Sequence, residues 1–420
     1  MASTFVCVSS YCSRMSFTDL LIILLLLGCF HGSLGKPFSG ESLSPVILMP
    51  GDGGSQFYAK LNKTTVPHVF CEKQTSDYFN LWLNIYELAP YLIDCFTDNM
   101  RLVYDRKTHT THNAPGVDIQ IRGWGDTETV EWLDPSHFGF TSYFYYIAQE
   151  LESLGYKRGV SIRGAPYDFR KAPNELGGMY KKLQDLIEDT YILNNKSSVT
   201  LIGHSMGNPV TLYFLNHMPQ AWKDKYVRRF ISLAGVWAGV IKTLRLFASG
   251  DNLDVYVVEA IKARLEQRSM ESTAWLLPSD LYWAADEILV SRPERNYTVK
   301  DLKQFFLDLN FTDGYDMFLD TKDLIRDLTP PGVEVHCLHG FNLTTPGRLV
   351  YGPNMWPNSQ PKVIPDDGDG TVNLRSLVAC KNWIGKQKQT VHHQQFIHAE
   401  HMEILKDPRI IKYLKSVLLS

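Results

Sequence analysis

The stretch 201–215, LIGHSMGNPVTLYFL, constrains this chain more than any other. An aliphatic run leads into Gly203-His204-Ser205-Met206-Gly207, and an apolar helical pattern follows. G-x-S-x-G between a strand and a helix marks a turn that lifts a serine hydroxyl clear of the backbone at a helix N-terminus. Glycines flank it because larger side chains two positions either side of the serine would collide in so tight a turn. The Met206 amide falls beside the hydroxyl, where negative charge would develop. A serine nucleophile needs a base, and the base needs an orienting acid. On this architecture the chain order is serine, acid after a late strand, then histidine in a C-terminal loop.

Two late segments supply candidates. IPDDGDGTVNLRS (364–376) offers Asp366, Asp367 and Asp369, and the Gly370-Thr371 turn favours Asp369. An EF-hand calcium loop fails there for want of an acid at its twelfth position. VHHQQFIHAEHMEIL (391–405) offers His392, His393, His398 and His401. His392 and His393 fall in a predicted strand, whereas His401 falls after it, where the loop is expected. Position alone leaves His398 open beside His401. HAEH lacks the H-E-x-x-H zinc spacing, so a metalloprotease is excluded.

Around this motif, β-rich runs at 45–50, 198–203, 229–235 and 333–340 alternate with helical patterns at 143–156 and 177–194. That alternation predicts an α/β fold, a mostly parallel sheet flanked by helices. The length of 420 residues allows one such domain with insertions. Residues 71–95 and 236–330 break the alternation and are expected to be those insertions. A net charge of −3 with scattered basic residues gives no nucleic-acid footprint.

The ends and the cysteines point to the secretory pathway. Arg14 precedes the eleven-residue apolar run 20–30, too short to span a bilayer, and Ser33 and Gly35 form a small-x-small cleavage pattern. A signal peptide over 1–35 is expected. Of seven cysteines, four lie beyond it: Cys71, Cys95, Cys337 and Cys380. Three pairings are open, and the sequential one closes the shortest loops. No two lie close enough for a zinc site. Sequons at Asn62, Asn195, Asn296, Asn310 and Asn342 predict a glycosylated surface.

HSMGN with TLYFL, PQAWKDKY (219–226), RGAPYDFR (163–170), DGDGTVNLRS (367–376) and EHMEIL (400–405) together resemble the lecithin:cholesterol acyltransferase family, most of all its lysosomal phospholipase A2 (acyl-ceramide synthase) branch. The resemblance runs from about residue 45 to the C-terminus. It implies an α/β-hydrolase core with a membrane-binding insertion at 71–95 and a cap over 236–330 whose lid falls near 248–272. It implies a triad of Ser205, Asp369 and His401, oxyanion donors at the Asp52 and Met206 amides, and the sequential disulfides. The implied reaction is calcium-independent cleavage of a glycerophospholipid acyl ester. The acyl group passes to water or to a lipid alcohol such as ceramide, in the lysosome and with no cofactor. A monomer is expected. The family's GAPWGG reads AGVWAG at 234–239, and its Glu-Ala-Lys reads Tyr58-Ala59-Lys60. Asn208 stands where the secreted sterol branch carries an unpaired cysteine. A secreted sterol acyltransferase, a neutral lipase and an inactive lipid-binding relative are the alternatives.

Two features acquire meaning from this. The run from Tyr78 to Leu88, with Leu81, Trp82, Leu83, Ile85 and Tyr86, is too aromatic for an ordinary loop and is expected to dock on membranes. Gly51-Asp52-Gly53-Gly54 lacks the P-loop lysine and is expected to wrap the oxyanion. An ionised Asp52 would repel that anion, so an acidic optimum is expected.

Overall fold

The strand that carries the nucleophile motif sits inside a sheet that is buried on both faces. The computed structural model describes residues 43–252 and 258–419. The expected signal peptide and, within the expected lid, residues 253–257 lie outside the described residues. Six strands form the main sheet: β1 (Val46–Met49), β2 (Ile162–Gly164), β3 (Val199–His204), β4 (Val227–Leu233), β5 (Glu334–Phe341) and β6 (Val391–Ile397). They run parallel in the order β6-β5-β4-β3-β1-β2. Every residue of β1 and β3 is buried, so continuous apolar runs replace alternation, as a sheet covered on both sides requires.

The helices pack on these faces. In α2 (Gly177–Leu193), Leu183, Leu186, Ile187 and Thr190 are buried, the spacing of a single stripe on a helix. α3 (Gly207–Asn216) follows the nucleophile strand and is buried along almost its whole length. α1 (Tyr145–Ser153) and α4 (Pro408–Leu418) pack against each other.

Strand order explains where a site can form. The chain leaves β1 for β2 on one side, then crosses over to β3 on the other. The crevice at a reversal of this kind, at the carboxyl ends of the strands, is where ligands bind in open α/β sheets. Met49 pairs with Gly203 in register, so the Gly51–Gly54 loop and the Ser205 turn emerge side by side. This is an α/β-hydrolase core.

Two additions surround it. Phe57–Leu61, Phe79–Trp82 and Val117–Ile121 form an antiparallel sheet directly after the β1 loop. A four-stranded sheet joins Arg295–Tyr297, Val290–Arg292, Leu343–Val350 and Lys362–Gly368. Its side chains share a second apolar cluster with Phe247, Trp283, Phe305, Leu349 and Tyr351. This second sheet therefore draws on chain beyond residue 330, because 343–368 supplies half of it. Both disulfides are sequential: Cys71–Cys95 and Cys337–Cys380. No helix among the described residues is long and apolar enough to cross a membrane.

Candidate active site

Ser205 sits at φ 50°, a left-handed conformation that a non-glycine residue adopts only when its surroundings impose it. Close packing imposes it here. A Cβ on Gly207 would come within 2.4 Å of the Met49 and Pro50 carbonyl oxygens, and one on Gly203 within 2.4 Å of Asn208 Oδ1. The glycines thus admit the neighbouring strand and the Asn208 side chain. The flanking positions do not meet each other.

The turn directs Ser205 Oγ to His401 Nε2 at 2.9 Å, and His401 Nδ1 meets Asp369 Oδ2 at 2.8 Å. The other Asp369 oxygen accepts the Val372 amide at 2.7 Å and the Thr371 amide at 3.1 Å, which fixes the carboxylate plane. The His401 amide donates to the Asp369 carbonyl at 2.9 Å. Burial pulls the His401 pKa down, but the charge and hydrogen bond of Asp369 outweigh it and hold the imidazole above its ordinary value. His398 does not reach the serine; it is exposed and bonds Asn342. Asp366 and Asp367 are likewise turned away, with Asp367 accepting the Asn342 amide.

A second hydrogen-bond chain lies behind the first. The Gly51 amide donates to Tyr143 Oη at 3.0 Å, and Tyr143 in turn contacts His204 Nδ1. His204 Nε2 lies 2.8 Å from the His401 carbonyl. A carbonyl only accepts, so Nε2 carries the proton, Nδ1 accepts, and the Tyr143 hydroxyl donates. Burial, reinforced by nearby His401, keeps the His204 pKa far below its ordinary value, so this polarity persists in acid. Sequence reading left Tyr143 and His204 without a role. The His204-Ser205 adjacency was the only signal.

The β1 loop closes the other side. A Cβ on Gly51 would lie 2.7 Å from Ser205 Cβ, so only glycine lets the loop approach so near. The turn hydrogen bonds leave the Asp52 and Met206 amides without an acceptor among the described residues. Asp52 lies at the solvent edge, yet its carboxyl is walled in by protein. That desolvation raises its pKa to about 6 against the opposing pull of Lys242 and the Gly53 amide. Glu266, which is buried, is held well above its ordinary pKa by that burial and further by the charge of Asp52.

The aromatic segment needs a correction. Leu81 and Trp82 point inward: both are buried, and Trp82 Nε1 donates to the Gly53 carbonyl at 2.7 Å. They belong to the strand paired with Phe57–Leu61, whose inner face packs on the core. Leu83 and Ile85 are half-buried, and Tyr86 is exposed. Tyr91 and Leu92, absent from the expected set, are exposed as well. All five sequon asparagines are exposed.

One group among the described residues has metal-ligand spacing: Glu334, His336 and His392, at the opposite ends of the strands from Ser205. His336 Nε2 already bonds Glu334 at 2.7 Å and Arg229 lies 3.4 Å from the same carboxylate, a charge that opposes a cation.

The lecithin:cholesterol acyltransferase family model matches residues 78–408. The chain belongs to that family. Among its family relatives, the lysosomal phospholipase A and acyltransferase of Rattus norvegicus is 47% identical over 97% of this chain and 98% of its own length. The phosphatidylcholine-sterol acyltransferase of Mus musculus is 40% identical over 89% of this chain and 85% of its own length. Among solved structures, the Tle4–Tli4 complex is similar at TM-score 0.48 and 14% identity, over 90% of this chain and 98% of that one.

Proposed function

We propose that this family member is a lysosomal serine phospholipase A and O-acyltransferase, with Ser205, His401 and Asp369 as its triad. The single observation that carries the reading is the continuous Ser205–His401–Asp369 hydrogen-bond chain at the strand-order reversal. Full-length identity of 47% to a relative named for that activity and compartment supports it.

In the reaction, Ser205 Oγ attacks the acyl carbonyl of a glycerophospholipid while its proton passes to His401 Nε2. Asp369 stabilises the imidazolium that results. The Asp52 and Met206 amides receive the developing oxyanion; one such donor lowers the barrier by roughly 3 kcal/mol in comparable enzymes. Collapse breaks the ester bond, and His401 returns the proton to the departing lysophospholipid oxygen. Water, or the primary hydroxyl of a lipid alcohol such as ceramide, then gives its proton to His401 and attacks the acyl carbon; as the acyl group leaves Ser205, His401 returns that proton to Ser205 Oγ. No step calls on calcium.

A signal peptide at 1–35 delivers the chain, the segment bounded by Cys71 and Cys95 docks it on phospholipid membranes, and the capping layer over 236–330 carries the lid. The five sequons carry glycans.

A fluorophosphonate probe tests the nucleophile: labelling is expected in the wild type and absent in Ser205→Ala. Phospholipid vesicles offering ceramide and cholesterol together test the acceptor. Acyl-ceramide is expected, unchanged by a calcium chelator, and cholesteryl ester as main product would reassign the chain to the sterol branch.

A further inference from the structure

The segment 135–140, Pro-Ser-His-Phe-Gly-Phe, is exposed at every position. Phe140 keeps 75% of its surface in water and Phe138 45%, and their rings stack with centroids 5.8 Å apart and planes within 6°. Exposed aromatic pairs are costly to keep in water and mark interaction sites. The loop is firmly held. Thr141 bonds the Phe138 carbonyl twice, through its amide at 2.7 Å and its hydroxyl at 2.8 Å. Asp134 accepts the Ser136 amide at 2.7 Å, and His137 stacks on Trp132 at 4.7 Å.

Its base is joined to the docking segment. The Leu83 amide donates to the Leu133 carbonyl at 2.8 Å, and Leu133 in turn pairs with Thr141. From Leu83 the chain runs forward to exposed Tyr86 and Tyr91 and backward to Trp82, which holds the oxyanion loop at Gly53. The same loop is tied to the catalytic side again by Gln56, whose side chain donates to the Trp132 carbonyl at 2.8 Å. Two sets of exposed aromatic side chains therefore stand on backbones bonded to each other, both tied to the loop that approaches Ser205.

We propose that the 135–140 loop is a second membrane finger, in which Phe138 and Phe140 insert into a phospholipid bilayer alongside Tyr86 and Tyr91. The bilayer is the occupant because the finger continues the docking segment and both lead to the catalytic loop. The segment 135–140 also carries no acidic side chain to oppose a lipid surface. Aromatic rings of this kind rest at the headgroup–acyl boundary and draw the body of the protein against it. The inference rests on the membrane-docking reading above.

Sedimentation with phosphatidylcholine vesicles separates the two claims. Phe138→Ser with Phe140→Ser is expected to weaken vesicle partition about tenfold or more, from the loss of two buried rings. Hydrolysis of p-nitrophenyl butyrate, a soluble ester, should stay unchanged. Unchanged partition would overturn the finger. If Tyr86→Ser with Tyr91→Ser weakens partition while the phenylalanine pair does not, the finger alone falls; if neither pair matters, the docking reading falls with it. In Phe140→Trp, brominated phosphatidylcholine is expected to quench more emission than it does in the wild type with its nine tryptophans, and an unchanged difference would overturn the proposal even if the double variant folds poorly. Conversion of a dimer to a monomer with vesicle binding retained would instead assign the patch to a second copy of this chain.

Discussion

Asp52 links the geometry of a single loop to the pH at which the enzyme works. Its carboxyl titrates at about 6, raised by the surrounding protein, so it is neutral in acid and ionised at neutral pH. An ionised Asp52 would oppose the oxyanion beside it, giving rate a descending limb through that value. His401 must be neutral to act as base and its pKa is raised above the ordinary imidazole value, so rate also has an ascending limb, set above the Asp52 one. Wild type is expected to give a bell on the acid side of neutrality. Asp52→Asn should lose the descending limb and exceed wild type severalfold or more at pH 7.5, because the wild-type carboxyl is mostly ionised there. An unaltered bell in kcat/KM would remove Asp52 from this role. Tyr143 tests the second hydrogen-bond chain. Tyr143→Phe strands the Gly51 amide and His204 Nδ1, loosening both the oxyanion loop and the base. The expected loss in kcat is about ten- to a hundredfold, less than deletion of an oxyanion donor, with KM little changed. A KM effect alone would show that the tyrosine only shapes the pocket.

At the scale of elements, the Cys71–Cys95 bridge closes the segment proposed to dock on membranes. It closes a separation of 24 residues, and constraining that loop is worth roughly 3 kcal/mol on the chain-entropy account. Since no triad residue lies inside it, Cys71→Ser with Cys95→Ser should cut vesicle hydrolysis several-fold and leave p-nitrophenyl butyrate hydrolysis near wild type. Equal loss on both substrates would mean that the segment also supports the oxyanion loop, through Trp82. Elements differ in how plainly their residues announce them. β1 and β3 were legible as apolar runs of buried parallel strands, and β4 and β5 as short β-rich runs that keep apolar residues among arginine, histidine and glutamate. The Ser205–His401–Asp369 hydrogen-bond chain was legible in part: its chemistry requires a fixed order and a glycine-flanked turn, but position left His398 open beside His401 until the family resemblance favoured the latter. β2 was not, because three residues carry no period. The Lys362–Gly368 strand was hidden by its own composition, with proline and paired aspartates on an exposed strand of the four-stranded sheet. Leu81 and Trp82 were misassigned because aromatic density does not say which face is buried.

Across the whole molecule, two sets of buried groups oppose each other in their response to acid. Burial raises Asp52 to about 6, Glu87 and Glu271 to about 7, and Glu266 well above its ordinary value. Such carboxyls hold protons in the folded chain that the unfolded chain has released, so their contribution to stability is lost as pH rises through those values. Burial also depresses His204, His336 and His339, and takes His393 down to about 4. These histidines bind protons in the unfolded chain but not in the folded one, so they cost stability as pH falls below the ordinary histidine value. The two sets therefore offset one another in part as pH falls, with His401, whose pKa is raised, on the side of the carboxyls. Carboxylates with depressed pKa, such as Asp98 and Asp168, add a loss only at lower pH. The melting temperature should therefore follow a shallower profile from pH 5 to 6.5 than either set alone would impose, while activity changes across the same window, which separates catalytic titration from unfolding. His336→Gln with His393→Gln should tilt the profile so that stability increases toward pH 5, whatever the absolute cost of the substitutions. A profile that stays unchanged in that variant would mean that the buried histidines and carboxyls do not offset one another.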